Sequence, residues 1–276
     1  MKTARSMVAV VLLALVALVA TGCGSDAGSG DGGAGATTTA AADGGQGEAL
    51  EGEITVSAAA SLTEAYTQIG ADFETAHPGT TVTFTFDSSG TLSQQILDGA
   101  PVDAFASADE ANMAKLTDQD LVDGEPQVFA RNQLVIVTKP GNPAGIEGLA
   151  DLPGAGVVAL CAASAPCGRF AAQVLEGAGV ALDESSVTRG QNAKATLTAV
   201  AEGDAAAGIV YVTDARAAGD AVAAVAVPEE RNAVATYPIG VLAGSGHLDV
   251  ARAFAEYVLG DEAQAVLKEH GFLPPS

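Results

Sequence analysis

From Ile54 onward the chain alternates short apolar strands with amphipathic helical stretches, and this repetition limits the fold more than any other feature. Strands are predicted at Ile54 to Ala60, Thr81 to Phe86, Asp103 to Ser107, Leu134 to Thr138, Gly156 to Cys161 and Gly208 to Val212, with short ones at Val225 to Val227 and Val241-Leu242. Helical spacing runs from Leu62 through Phe73, ended by His77-Pro78-Gly79, and then over Thr91 to Leu97 and Glu110 to Leu116. Further helices are expected from Pro166 to Leu175, from Asn192 to about Glu202, over Ala251 to Leu259, and over Glu262 to His270 with Gly271 after its end. Ser61-Leu62-Thr63-Glu64 has the form of a capping box, with Ser61 as N-cap. Repeated βα units call for a mainly parallel sheet covered on both faces. About 225 residues of such pattern favour two α/β lobes over one.

The first 50 residues obey other rules. Lys2 and Arg5 precede an apolar run from Met7 to Ala20, and Ala20-Thr21-Gly22-Cys23 follows. That order describes an export signal over residues 1–22, too short and too closely followed by Gly and Asp for a spanning helix. Small residues directly before Cys23 resemble a bacterial lipoprotein signal, in which this cysteine is lipidated; Ala20 stands where Leu is commoner. Ordinary cleavage with Cys23 incidental is the alternative. Residues 24–47 hold no large apolar side chain, so residues 23–50 are expected to be a lipidated cysteine and a disordered tether. The predicted location is extracytoplasmic, anchored to the outer face of the cell membrane.

Cysteine usage fits that compartment. Cys161 and Cys167 lie six apart around Ala-Ala-Ser-Ala-Pro, where oxidation to a disulfide is expected; two buried thiols are the alternative. The formal charge is −22, and loss of Lys2 and Arg5 with the signal makes it −24. A surface that acidic repels phosphate backbones and anionic lipid, which excludes nucleic acid as a partner and leaves the anchor as the only membrane contact. Three histidines (His77, His247, His270) fall in turn or helix-end contexts, and Ser245 in AGSGH lacks nucleophile-elbow spacing. No phosphate-binding glycine motif is present, so no enzyme is predicted, although an extracytoplasmic enzyme is kept as a remote alternative.

What recurs is a joint. At Ala60-Ser61, Ser88-Ser89-Gly90, Pro166-Cys167-Gly168 and Asn192-Ala193, a strand or turn hands over to a helix through small or hydroxyl residues. Such joints lie beyond the carboxyl ends of strands, where open α/β sheets bind ligands. Several helix N-termini facing one cleft would form an anion site. Taken singly, each joint is also an ordinary N-cap.

The stretch from Ile54 to Leu62 resembles the opening of the molybdate-binding proteins that serve ABC transporters. The similarity continues through Phe86 to Leu92, Gly99 to Asp103, Ser107 to Asp109, Pro166 to Gly168, Asn192 to Lys194, Gly208 to Tyr211, Tyr237-Pro238 and Gly271-Phe272. The resemblance implies a type II periplasmic-binding-protein fold with a ligand cleft between two α/β lobes, residues 51–130 plus 232–276 and residues 131–231. It also implies a monomer that captures molybdate, and tungstate too in the same cleft, with an ABC permease as partner and no cofactor. Another tetrahedral oxyanion such as sulfate is the alternative cargo. Carried over by position, the anion contacts come from Ser61 and Ser89 in one lobe and Cys167, Ala193 and Tyr211 in the other. Cys167 and Ala193 would act through backbone N–H groups, so molybdenum would be held through its oxygens and no side chain would coordinate the metal. Gly90 departs from relatives that carry a third hydroxyl there. Arg169 and Lys194, just after the cleft positions, are expected to face solvent.

Overall fold

The computed structural model describes residues 50–276; the signal segment, Cys23 and the tether through residue 49 lie outside the described residues. In chain order the elements are β1 (Gly52–Ala59), α1 (Thr63–Ala76), β2 (Thr80–Asp87), α2 (Ser89–Leu97), β3 (Ala104–Ala106), α3 (Glu110–Thr117) and β4 (Gln127–Thr138). They continue as β5 (Val158–Cys161), α4 (Pro166–Gly177), β6 (Val187–Gly190), α5 (Ala193–Ala201), β7 (Ala207–Tyr211), α6 (Val212–Ala218) and β8 (Ala223–Ala226). The chain ends with β9 (Val234–Val241), α7 (Leu248–Leu259) and α8 (Asp261–Glu269).

The strands hydrogen-bond in the order β2-β1-β3-β9-β4-β7-β5-β6, with β8 also on β4. The βα repeats generate two parallel groups, β1 with β2 and β3, and β5 with β6 and β7. The expectation of a mainly parallel sheet is corrected at the centre. There β4 and β9 run antiparallel to each other and to their outer neighbours β7, β8 and β3. These two strands carry the chain between the parallel groups, and a strand that returns without a crossover helix must run antiparallel. The first part of β4 pairs with β9 from Gln127 to Gln133, and the rest pairs with β7 from Leu134 to Thr138.

The burial pattern explains why these segments take these forms. Ile54, Val56 and Ala58 alternate along β1 into a core shared with Tyr66, Ile69 and Phe73 at helical spacing on α1. Phe84, Phe129 and Phe254 close around Tyr66 at ring distances of 5.7–6.1 Å. Each such ring contributes about 1.5–3 kcal/mol by leaving water. A second cluster, Val135, Val137, Leu197, Val200 and Val210, packs α5 onto β4 and β7. Because both layers end at the same strand tips, the packing fixes where helix N-termini point.

Several local expectations fail for identifiable reasons. Ser61 does not cap α1: the chain leaves β1 through a buried 3-10 turn, Ala60–Leu62, and Leu62 precedes the helix without a side-chain cap. Both members of the expected capping box are engaged elsewhere, Ser61 with Tyr237 and Glu64 with Lys194. The edge strand β6 and the short helix α6 were not foreseen, since VTRG is largely polar and Val212-Thr213 reads as strand. Strand β9 is much longer than Val241-Leu242, because Pro238 obscures it; that proline sits where the β4 register shifts between Val128 and Ala130.

Candidate functional site

The four sequence joints meet. Ser61, Ser89, Cys167, Ala193 and Tyr211 line one small cavity, together with Asp87, Asn192 and a few neighbours. The cavity lies at the ends of β1, β2 and β7 and at the starts of α2, α4 and α5. All five side chains are almost fully buried, the most exposed being Ser61 at 4%.

Two hydroxyls come from the β1–β2 side, and each is held by a second bond. Ser89 Oγ accepts the Ala108 N–H at 2.9 Å, which leaves the hydroxyl hydrogen to be donated. Ser61 Oγ lies 2.9 Å from the Tyr237 hydroxyl, which in turn is 3.4 Å from Asn132 Nδ2. Asn132 Nδ2 also donates to Thr213 Oγ1 at 2.9 Å. If Asn132 donates to Tyr237 and Tyr237 donates to Ser61, the Ser61 hydrogen too is left for the cavity. Neither Tyr237 nor Asn132 stood out in the sequence as a supporting residue, for they sit 176 and 71 positions from Ser61.

The opposite side offers backbone. Cys167 and Ala193 occupy the first turns of α4 and α5, whose amides have no carbonyl four residues earlier to bond. Asn192 caps α5, accepting the Ala195 N–H at 3.0 Å. Cys161 and Cys167 are joined by a disulfide with their Cα atoms 5.8 Å apart, which ties the end of β5 to the start of α4. A Cβ placed on Gly90 would lie only 2.6 Å from the carbonyl oxygen of Ser164 in the disulfide loop, so this chain has no room for a third hydroxyl residue there.

Tyr211 completes the ring. Its hydroxyl is buried and has no hydrogen-bond partner among the described residues. A buried polar group left so costs about 1–3 kcal/mol, and of the two tyrosine hydroxyls in this state, Tyr66 and Tyr211, only Tyr211 belongs to a residue that lines the cavity. Burial pushes its pKa well above the ordinary tyrosine range, and so it remains a donor at any physiological pH.

Charges stand around the cavity. Asp87 lines it, a feature not anticipated, with Oδ1 receiving the Ser88 N–H at 2.7 Å and Asn192 Nδ2 at 2.8 Å. Arg169 and Lys194 keep part of their side chains in solvent, as expected, at 39% and 26% exposure, but each also holds an ion pair that was not foreseen. Arg169 forms an ion pair with the buried Asp109. Lys194 Nζ reaches both carboxylate oxygens of Glu64 at 2.7 Å and stands 3.7 Å from Asp214 Oδ1. Asp214 is wholly buried and accepts the Tyr211 N–H at 3.2 Å; burial raises its pKa from 3.8 to about 6, against the pull of Lys194. Among the described residues no three His, Cys, Asp or Glu side chains converge as a metal site, and none of the three histidines lines the cavity.

The family profile of the bacterial extracellular solute-binding proteins matches residues 54–273. The molybdate-binding protein ModA of Mycobacterium tuberculosis is 40% identical over 228 residues, which span 80% of this chain and 85% of that protein. The chain belongs to the ModA family of bacterial extracellular solute-binding proteins.

Two solved structures show how far the fold alone goes. The periplasmic molybdate-binding protein of Azotobacter vinelandii superposes with a TM-score of 0.72 at 24% identity, covering 81% of this chain and all of that one. A sulfate-binding protein of Mycobacterium tuberculosis also gives 0.72, at 22% identity over 80% of this chain and 86% of that one. The ModA-family scaffold is therefore shared by binders named for two different oxyanions, and only the cavity can separate them.

Proposed function

We propose that the protein captures molybdate, and tungstate alike, outside the cytoplasm and delivers it to an ABC permease without any chemical step. The observation that carries this reading is the buried Tyr211 hydroxyl, which makes no hydrogen bond of its own, on a residue lining a cavity that also gathers Ser61, Ser89 and the helix-start residues Cys167 and Ala193. Ser61, Ser89 and Tyr211 would donate through hydroxyls, and Cys167 and Ala193 through backbone N–H groups. Such donors suit the oxygens of a tetrahedral dianion, each charge-assisted bond contributing about 1.5–3 kcal/mol. Asp87 opposes the anion, but two N–H donors and the starts of α2 and α5 offset its charge. No nucleophile paired with a base lines the cavity among the described residues, which supports a carrier rather than an enzyme.

In this reading residues 51–130 plus 232–276 form one lobe and residues 131–231 the other, the boundary falling within β4 a few residues before that strand changes partner from β9 to β7. The working protein is a monomer, lipidated at Cys23, whose tether lets the domain meet its permease. Among the described residues no helix is long and apolar enough to cross a membrane. Equilibrium dialysis of the chain lacking residues 1–23 against molybdate, followed by molybdenum analysis, tests the function. One molybdenum per chain is expected; none at micromolar ion contradicts it.

A further inference from the structure

We infer that Lys194 and Arg169 are closure residues, which hold the two lobes together over the bound ion and set how long it stays. The inference rests on the oxyanion-capture reading and adds to it a role for residues that touch no ligand. Both cations sit on the helices that start at the cavity, α5 and α4, within two residues of Ala193 and Cys167. Neither is among the residues that line the cavity. Each reaches instead to an acidic partner on the other lobe, Lys194 to Glu64 at the start of α1 and Arg169 to Asp109, the N-cap of α3. A third bond crosses at the same rim, Asn192 Nδ2 to Asp87 Oδ1 at 2.8 Å, and Gly90 meets Ser164 beside it. The other ion pairs among the described residues, Arg189–Glu184 and Arg252–Asp123, each stay within one lobe.

The arrangement has a physical logic. Asp109 is 5% exposed and already accepts the Asn112 backbone and side-chain N–H groups, so it is a fixed, prearranged target. Lys194 is anchored on its own lobe by the buried Asp214, so its ammonium is placed before Glu64 arrives. Such pairs form only when the lobes shut. They therefore act on release far more than on encounter, as contacts made after docking generally do. They also make residence time depend on salt, which a cavity of neutral donors sealed from solvent would not.

The test uses Lys194→Met, Arg169→Met and Glu64→Gln in the chain lacking residues 1–23, with Arg252→Met as a within-lobe control. Release of labelled molybdate is chased with excess unlabelled ion, from roughly 0.01 M to roughly 1 M salt, where the Debye length falls from about 30 Å to about 3 Å. Lys194→Met and Arg169→Met should each speed release about tenfold at low salt, with association changed far less, and each should weaken the parent's salt dependence. Glu64→Gln decides the cause by its sign. It removes a negative charge near an anion, so simple field effects would tighten binding, whereas loss of a closure contact speeds release several-fold. Circular dichroism and melting confirm that each variant is folded; should one cation variant fail to fold, Glu64→Gln and the salt series carry the test. Parent-like or slower release from Glu64→Gln, or release from the parent that ignores salt, overturns the inference. A parent that binds neither molybdate nor sulfate overturns the functional reading beneath it.

Discussion

The two walls of the cavity would use different chemistry for the task proposed for them. The β1–β2 wall presents the hydroxyls of Ser61 and Ser89, each oriented by a bond behind it, from Tyr237 and from Ala108 N–H. The α4–α5 wall presents amides of Cys167 and Ala193 at helix starts, where side-chain identity is incidental. Side-chain donors depend on residue type and on supporting partners, while backbone donors depend only on where the helix begins. Substitution should therefore be felt on one wall and hardly at all on the other, and Tyr211, a side chain on the amide side, serves as the cross-check.

The largest effect concerns what stands behind Tyr211. Asp214 has its pKa raised from 3.8 to about 6 by burial. The fold therefore disfavours its charged form. The cost is full above about pH 6 and fades as pH falls toward 3.8, and the shift corresponds to about 3 kcal/mol. Denaturant melts of the parent minus those of Asp214→Asn should show the parent gaining stability from pH 7.5 to pH 4 relative to the variant. A flat difference would contradict the burial argument.

On the hydroxyl wall, Ser89→Ala should weaken molybdate binding by about two powers of ten, because it removes a proposed donor to the ion and strands the Ala108 N–H. Ser61→Ala should cost about as much, since it leaves the Tyr237 O–H without its acceptor and Asn132 Nδ2 can only donate. Titration calorimetry reads both. Tyr211→Phe should weaken binding about tenfold, yet leave the ion-free protein as stable or more so, because the hydroxyl it deletes has no partner there. A destabilised ion-free variant would mean that Tyr211 serves the fold instead.

The amide wall should be forgiving. Replacing both Cys161 and Cys167 by Ser leaves the Cys167 N–H in place, so affinity should fall only a few-fold, while stability drops by about 2 kcal/mol with the loop no longer closed. Ala193→Ser should change affinity less than twofold. A large loss from Ala193→Ser would break the distinction between the walls.

How much of this could be read from the chain follows from the range of each interaction. Asn192 was legible as the cap of α5 because its partner is the Ala195 N–H, three residues on. The joint residues were legible because small and hydroxyl groups at strand ends are local signals, and they do share a cavity. Ser61 looked like a helix cap for the same local reason, and it was misread because its true partner, Tyr237, lies 176 residues away. Lys194 looked solvated because nothing near it in sequence announces Glu64, 130 positions earlier. Asp87 ends a clean alternating strand, and nothing in TVTFTF shows that the next residue lines the cavity and bonds to Asn192, 105 positions on. Short-range caps and periodicity were readable, and bonds that span the whole chain were not.

The central claim is that oriented hydroxyl and amide donors, spaced for one size of tetrahedral dianion, select the cargo. Competitive titration calorimetry of the chain lacking residues 1–23 with molybdate, tungstate, sulfate and phosphate tests it most directly. On the proposed reading, donors held on two walls for the larger ion cannot all close on a smaller one, and two unmade bonds at about 1–3 kcal/mol each would lower affinity by two or more powers of ten. Molybdate and tungstate should bind alike, with sulfate and phosphate at least about a hundredfold weaker. Sulfate competing on equal terms with molybdate would contradict the account.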